Sequence, residues 1–94
     1  MRSTTAIEMP NAGVYLRQLC RHFGHRVETT FGDRDGRISF AFGECELHAG
    51  DDRLELTAIA DDGEARERVE NVVGSHLERF AFREELRVTW PEAS

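Results

Sequence analysis

Between Arg26 and Ala60, apolar and polar residues alternate through four successive segments, RVETTF, RISFAF, ECELHAG and RLELTAIA. A period of two sends alternate side chains to opposite faces of a strand. Val27, Thr29 and Phe31 share one side of the first segment; Ile38, Phe40 and Phe42 share one side of the second. Cys45, Leu47 and Ala49 follow in the third, then Leu54, Leu56 and Ala58 in the fourth. Connections as short as GDRDG, residues 32–36, suit antiparallel neighbours, whereas parallel strands need a long crossover. The chain must therefore contain an antiparallel meander with one apolar face to cover and one wet face.

Two segments with helical spacing supply the cover. Ala12, Tyr15, Leu16, Leu19 and Phe23 recur at three and four residues, after a Pro10-Asn11 start in which Asn11 is the expected N-cap. Gly24 is the expected C′ residue. The second helix is expected from about Asp61, as N-cap with Glu64 reaching back, to about Phe80. Its stripe is Ala65, Val69, Val72, Val73, His76 and Phe80. Residues 4–9, TTAIEM, read as a first strand, and Leu86, Val88 and Trp90 as a last one. The expectation is an α+β two-layer sandwich, β-α-β-β-β-β-α-β, with a mainly antiparallel sheet and two helices on one face. Its 94 residues make a single domain, core 4–90 with a tail at 91–94.

Charge narrows the function. The net charge is −6 and all twelve basic residues are arginine, scattered among acids. That pattern lacks the basic stripe of a nucleic-acid-binding surface. No apolar run approaches the ~18 residues of a membrane span, and the amino-terminal residues lack a signal peptide's apolar segment, so a cytoplasmic protein is expected. Two distant cysteines do not make a disulfide framework.

Several segments look like sites and fail on geometry. In LCRHFGHR, residues 19–26, Cys20 and His22 flank the helix stripe roughly 160° apart at roughly 100° per residue, so a continuous helix cannot bring both to one metal. Cys45 and His48 lie three apart in a strand and face opposite ways. Both cysteines read as small buried hydrophobes. FGDRDG does not fit a calcium loop, because Phe31 and Phe42 would occupy positions that need oxygen ligands. RISFAF cannot form an RNA-stacking platform, since its aromatic phase is the core phase.

His76 stands apart, a titratable residue in the middle of an apolar stripe. It is either a core histidine bonded to a backbone carbonyl or carboxylate, or a proton-transfer or ligand-binding group in a pocket between helix and sheet. Arg79, Arg83 and Glu84 follow where the helix ends.

YLRQLCRHFGHR, ISFAFGECEL and VENVVGSHLERFAFREELRVTW, in that order, resemble the bacterial family called domain of unknown function 2218. The family's pattern includes the positions of Cys20, His22, His25, Cys45, His76, Arg83 and Glu84. The resemblance implies a fold like the TATA-binding-protein-like domain of phosphohexomutases, whose phosphate loop has no counterpart here. It also implies a context, because similar domains occur with siderophore-interacting, flavin-dependent ferric reductases.

The expected function is thus a non-enzymatic accessory or binding domain linked to iron–siderophore metabolism, with such a reductase as partner. Its working surface is His22, His25, His76, Arg79, Arg83 and Glu84. An alternative is a metal- or iron-chelate-binding protein in which packing of the helices brings His22, His25 and His76 together on zinc or iron; otherwise no cofactor is expected. A third is a small enzyme with His76 as general base, which requires a pocket of at least ~300 Å³ beside it. The mixed charges of the wet face, among them Arg37, Glu44, Glu46, His48 and Glu55, suit a monomer or a weak homodimer.

Overall fold

In a computed structural model, residues 1–91 are described. They form strand β1 (Arg2–Glu8), helix α1 (Ala12–Phe23), strands β2 (Glu28–Phe31), β3 (Asp35–Phe40), β4 (Gly43–Ala49) and β5 (Arg53–Ile59), helix α2 (Gly63–Phe80) and a short 3₁₀ turn, Phe82–Glu84. The sheet order is β1-β5-β4-β3-β2, every pair antiparallel. The meander thus runs across the sheet until β5 meets β1, while α1 carries the chain from one edge strand to the other. This is the α+β two-layer sandwich that the alternation requires.

The two helices cover one face. Leu16, Leu19 and Cys20 of α1 and Val69, Val73 and Leu77 of α2 meet Ile38, Cys45, Leu54 and Leu56 of the sheet, all fully buried. Two inward-facing polar residues of β1 fit because they are bonded: Ser3 donates to the Glu70 carboxylate, and Thr5 Oγ1 donates to Thr89 O at 2.6 Å. The opposite face is a charged lattice set by register. Arg37 lies opposite Glu46 and pairs with it at 2.6 Å, and His48 lies opposite Asp35 at 2.7 Å.

The last segment departs from expectation. Leu86, Val88 and Trp90 alternate as in a strand, but residues 86–91 pair with no strand. Glu85, in the left-handed conformation (φ 52°), ends the 3₁₀ turn, and the segment doubles back along α2. The Val88 amide donates to Glu78, and Gly74 faces Val88 and Trp90 so closely that a Cβ there would sit 3.3 Å from Val88 Cγ1. Side chains, not a neighbouring strand, hold this backbone. The tail expected at 91–94 lies, beyond Pro91, outside the described residues.

Smaller corrections concern helix ends and one turn. Asp62, not Asp61, caps α2 and accepts from Ala65 N at 2.8 Å; one residue of extra loop lets the extended cap aim its carboxylate at the first turn. Asn11 precedes α1 in the left-handed conformation, which turns its side chain from capping, so it makes no cap bond. Gly24 keeps right-handed helical angles (φ −62°), and its N–H closes one further bond to Cys20 O. Phe42 belongs to the two-residue turn after β3, where it stacks on Phe40.

Candidate functional site: a shelf of aromatic rings and histidines

The ends of α1 and α2 meet. His22 and Phe23 lie in the last turn of α1, His76 and Phe80 in the last two turns of α2. A row of rings joins them. Phe42 stacks on Phe40 (5.1 Å between centres), Phe40 meets the edge of Phe23 (5.3 Å), and Phe23 adjoins His76 (4.9 Å). His76 stands 5.0 Å from His22, which meets Phe80 edge-on at 5.3 Å. Such offset and edge contacts suit the quadrupoles of aromatic rings.

His76 combines the two roles the sequence left open. It is half-buried, and its Nδ1 sits 2.6 Å from the Val72 carbonyl one turn back. A carbonyl can only accept, so Nδ1 carries the hydrogen and in the neutral ring Nε2 keeps its lone pair. The ring also borders a depression of about 550 Å³ lined by His22, Phe23, His25, Arg26 and His76.

The local charge runs against the charge of the whole. No carboxylate lines the depression. Arg26 and Arg79, like Arg17, Arg21, Arg68, Arg83 and Arg87, make no ion pair among the described residues, whereas Arg2, Arg34, Arg37, Arg53 and Arg66 do. His22 is held below its ordinary pKa of 6.5, first by the water its neighbours exclude and then by the positive charge of His76, His25, Arg26 and Arg79.

Of the six expected surface residues, the structure gathers His22, His25 and His76 around the depression, and Arg79 stands outside its lining but near enough to act on the charge of His22. Arg83 and Glu84 sit on the 3₁₀ turn; neither lines the depression, and Arg83 lies over Phe82, 5.7 Å from its centre. Arg26 was missed. Its only signal was its place two residues past Gly24, where the chain leaves α1. Among the described residues, no three His, Cys, Asp or Glu side chains are grouped to hold a metal ion. The histidines come together as a pair, with His25 at the rim.

Cys20 and Cys45 are both fully buried, Cys45 in the core phase of its strand and Cys20 from the flank of its helix's stripe, and burial pushes their thiols up to about 11 and about 12. They belong to the core and not to the shelf.

Residues 4–91 match a bacterial family described as an uncharacterized protein conserved in bacteria, DUF2218. The chain belongs to this family. Its fold is similar to the NMR structure of PA4090 from Pseudomonas aeruginosa, at 33% identity and a TM-score of 0.84, over 99% of this chain and 97% of that one. No curated protein matches. The family thus fixes the fold and the bacterial origin of the type, and the chemistry must be read from the shelf. Among the described residues no helix is long and apolar enough to cross a membrane.

Proposed function

We propose that this DUF2218 protein is a non-enzymatic binding domain whose working surface is the shelf of His22, His25, Arg26, His76 and Arg79. One observation carries the reading: in a chain of net charge −6, Arg26, without a carboxylate partner among the described residues, lines a depression with His22, Phe23, His25 and His76 and no acid, and Arg79 stands near enough to act on the charge of His22. Uncompensated positive charge beside exposed rings is a recognition feature that packing does not require. The context of this reading is iron–siderophore metabolism in the cytoplasm with a siderophore-interacting ferric reductase as partner, its support being that similar domains occur with such reductases. The shelf's size meets the requirement for an enzyme site, yet its lining offers no carboxylate, hydroxyl or thiol to share the work of His76. Binding is the better supported role.

The test is surface plasmon resonance with such a reductase immobilised. The native protein should bind, and Arg79→Glu and His76→Phe should each weaken binding at least tenfold. Equal binding by both variants would remove the shelf from the interface, and no binding by the native protein would remove the partner.

A second reading, an iron-chelate-binding protein, has its own support in the His22–His76 pair. Two imidazoles on one tetrahedral ion, with bonds of about 2.1 Å, place their ring centres about 5 Å apart, and here the separation is 5.0 Å. The Nδ1–H bond of His76 to a backbone carbonyl is also the usual support behind a metal-ligating histidine. Two imidazoles leave the other positions to a chelator. Elemental mass spectrometry on tag-free protein from iron- and zinc-replete cells, repeated for His22→Ala and His76→Ala, decides it: metal lost in both variants supports this reading, and metal-free native protein counts against a resident ion.

A further inference from the structure

On that reading of the shelf as a binding surface, we propose that it takes a small planar aromatic anion, its ring laid against His22, His76 and Phe80 and its charged oxygens met by Arg26 and Arg79. Each half of the ligand answers a separate observation. The rings of His22, His76 and Phe80 stand 5.0 to 6.2 Å apart, the spacing of aromatic neighbours; His22 and His76 line a depression of about 550 Å³, and Phe80 stands against His22 beside it. That volume lies within the range of small-molecule sites, so one or two fused rings fit. The neighbouring charge is positive. Arg26 lines the depression, Arg79 of α2 acts on the charge of His22, and no carboxylate enters the lining.

Other ligand classes use only part of this arrangement. A cation would meet two guanidiniums and up to three imidazoles. A neutral aromatic would leave both guanidiniums unanswered. A compact anion such as acetate would satisfy the arginines and leave the rings idle. Only a ligand that is both flat and anionic engages everything present, with planar guanidinium forks suited to carboxylate oxygens.

A consequence separates this site from a merely basic patch. The charges that hold His22 below its ordinary value are those of His76, His25, Arg26 and Arg79, acting after desolvation. An anion placed among them offsets the repulsion, so His22 gains proton affinity when the ligand binds. Binding should then take up protons where His22 titrates, and strengthen as pH falls.

The experiment is titration of the ¹⁵N-labelled protein with 2-naphthoate at pH 7, with acetate and 2-naphthalenemethanol in parallel. Naphthoate should shift the amides of His22, His25, Arg26 and His76 saturably, with a Kd on the order of 1 mM. The double variant Arg26→Ala/Arg79→Ala, whose exposed side chains are not needed for folding, should weaken binding at least tenfold. His22 should titrate at a higher pH in the naphthoate complex than in the free protein. Acetate or the neutral alcohol shifting the same amides with equal affinity would overturn the proposal, as would no saturable shift up to 20 mM naphthoate. Reductase binding with no response to naphthoate would sink this ligand class and leave the partner reading intact. A naphthoate response without reductase binding would do the reverse.

Discussion

The backbone N–H of Val88 donates to the carboxylate of Glu78 at 2.8 Å, fastening the last described segment to the helix it follows. A half-buried amide bonded to a charged acceptor is worth about 1.5–3 kcal/mol. Glu78→Ala removes the acceptor and should cost about that much in urea denaturation. Glu78→Gln keeps an oxygen in place and should cost less than half. Native-state hydrogen exchange at Val88 should rise in the alanine variant before global exchange does. An unchanged Val88 protection factor would show that the segment is held by Trp90 and Thr89 instead.

The same segment shows where sequence reading loses its grip. Alternation of Leu86, Val88 and Trp90 correctly predicts a segment with one apolar side, because that side does pack, against α2 around Gly74. It cannot say whether another strand's edge is within reach, since hydrogen-bonded pairing is a property of two segments. The four central strands were legible because each has its partner a few residues away, across a short turn. The pairing of β1 with β5, about fifty residues apart, comes only with the assembled sheet. The shelf divides in the same way. His22 and His76 could be singled out one at a time, His22 beside the stripe of its helix and His76 within its own. Their approach to 5.0 Å, and the place of Arg26 beside them, follow from how α1 packs on α2. That packing depends on side-chain volumes in the core and leaves no periodic trace in the sequence.

Gly43 opens β4 where the chain has no room for a side chain. A Cβ there would stand 2.6 Å from the Ile59 carbonyl oxygen and 3.0 Å from Val69 Cγ2. Ile59 O belongs to strand backbone, so relief requires moving β5 or α2. Gly43→Ala should destabilise by about 1–3 kcal/mol, the usual cost of overpacking. Gly32→Ala is the control, since nothing lies within 4 Å of a Cβ at that position. Thermal unfolding of both variants checks the contrast, and equal midpoints would mean that the strand ends yield more easily than their contacts suggest.

The two thiols should be almost inert in the folded protein. With Cys20 raised to about 11 and Cys45 to about 12 by burial, roughly one Cys20 thiol in a thousand is ionised at pH 8, and neither is exposed. Iodoacetamide should therefore modify the native protein at least a hundredfold more slowly than the urea-unfolded chain. Mass spectrometry of timed aliquots gives both rates. Rapid alkylation of native Cys20 would show that α1 opens locally.

His22 gives the pH response a definite sign. Its folded pKa lies below the ordinary 6.5, so between the two values the unfolded chain binds more protons than the folded one. The stability linked to His22 is then fully present above about pH 6.5 and is lost as pH falls through the folded value. Its imidazole Cε1–H resonance should titrate with a midpoint below 6.5. Arg26→Ala and Arg79→Ala should each move that midpoint upward, because each removes a positive neighbour, while His22→Phe should flatten this part of the stability profile. A His22 midpoint at or above 6.5 in the native protein would mean that the positive charges gathered on the shelf are screened by water, and that the surface is less selective for anions than its composition implies.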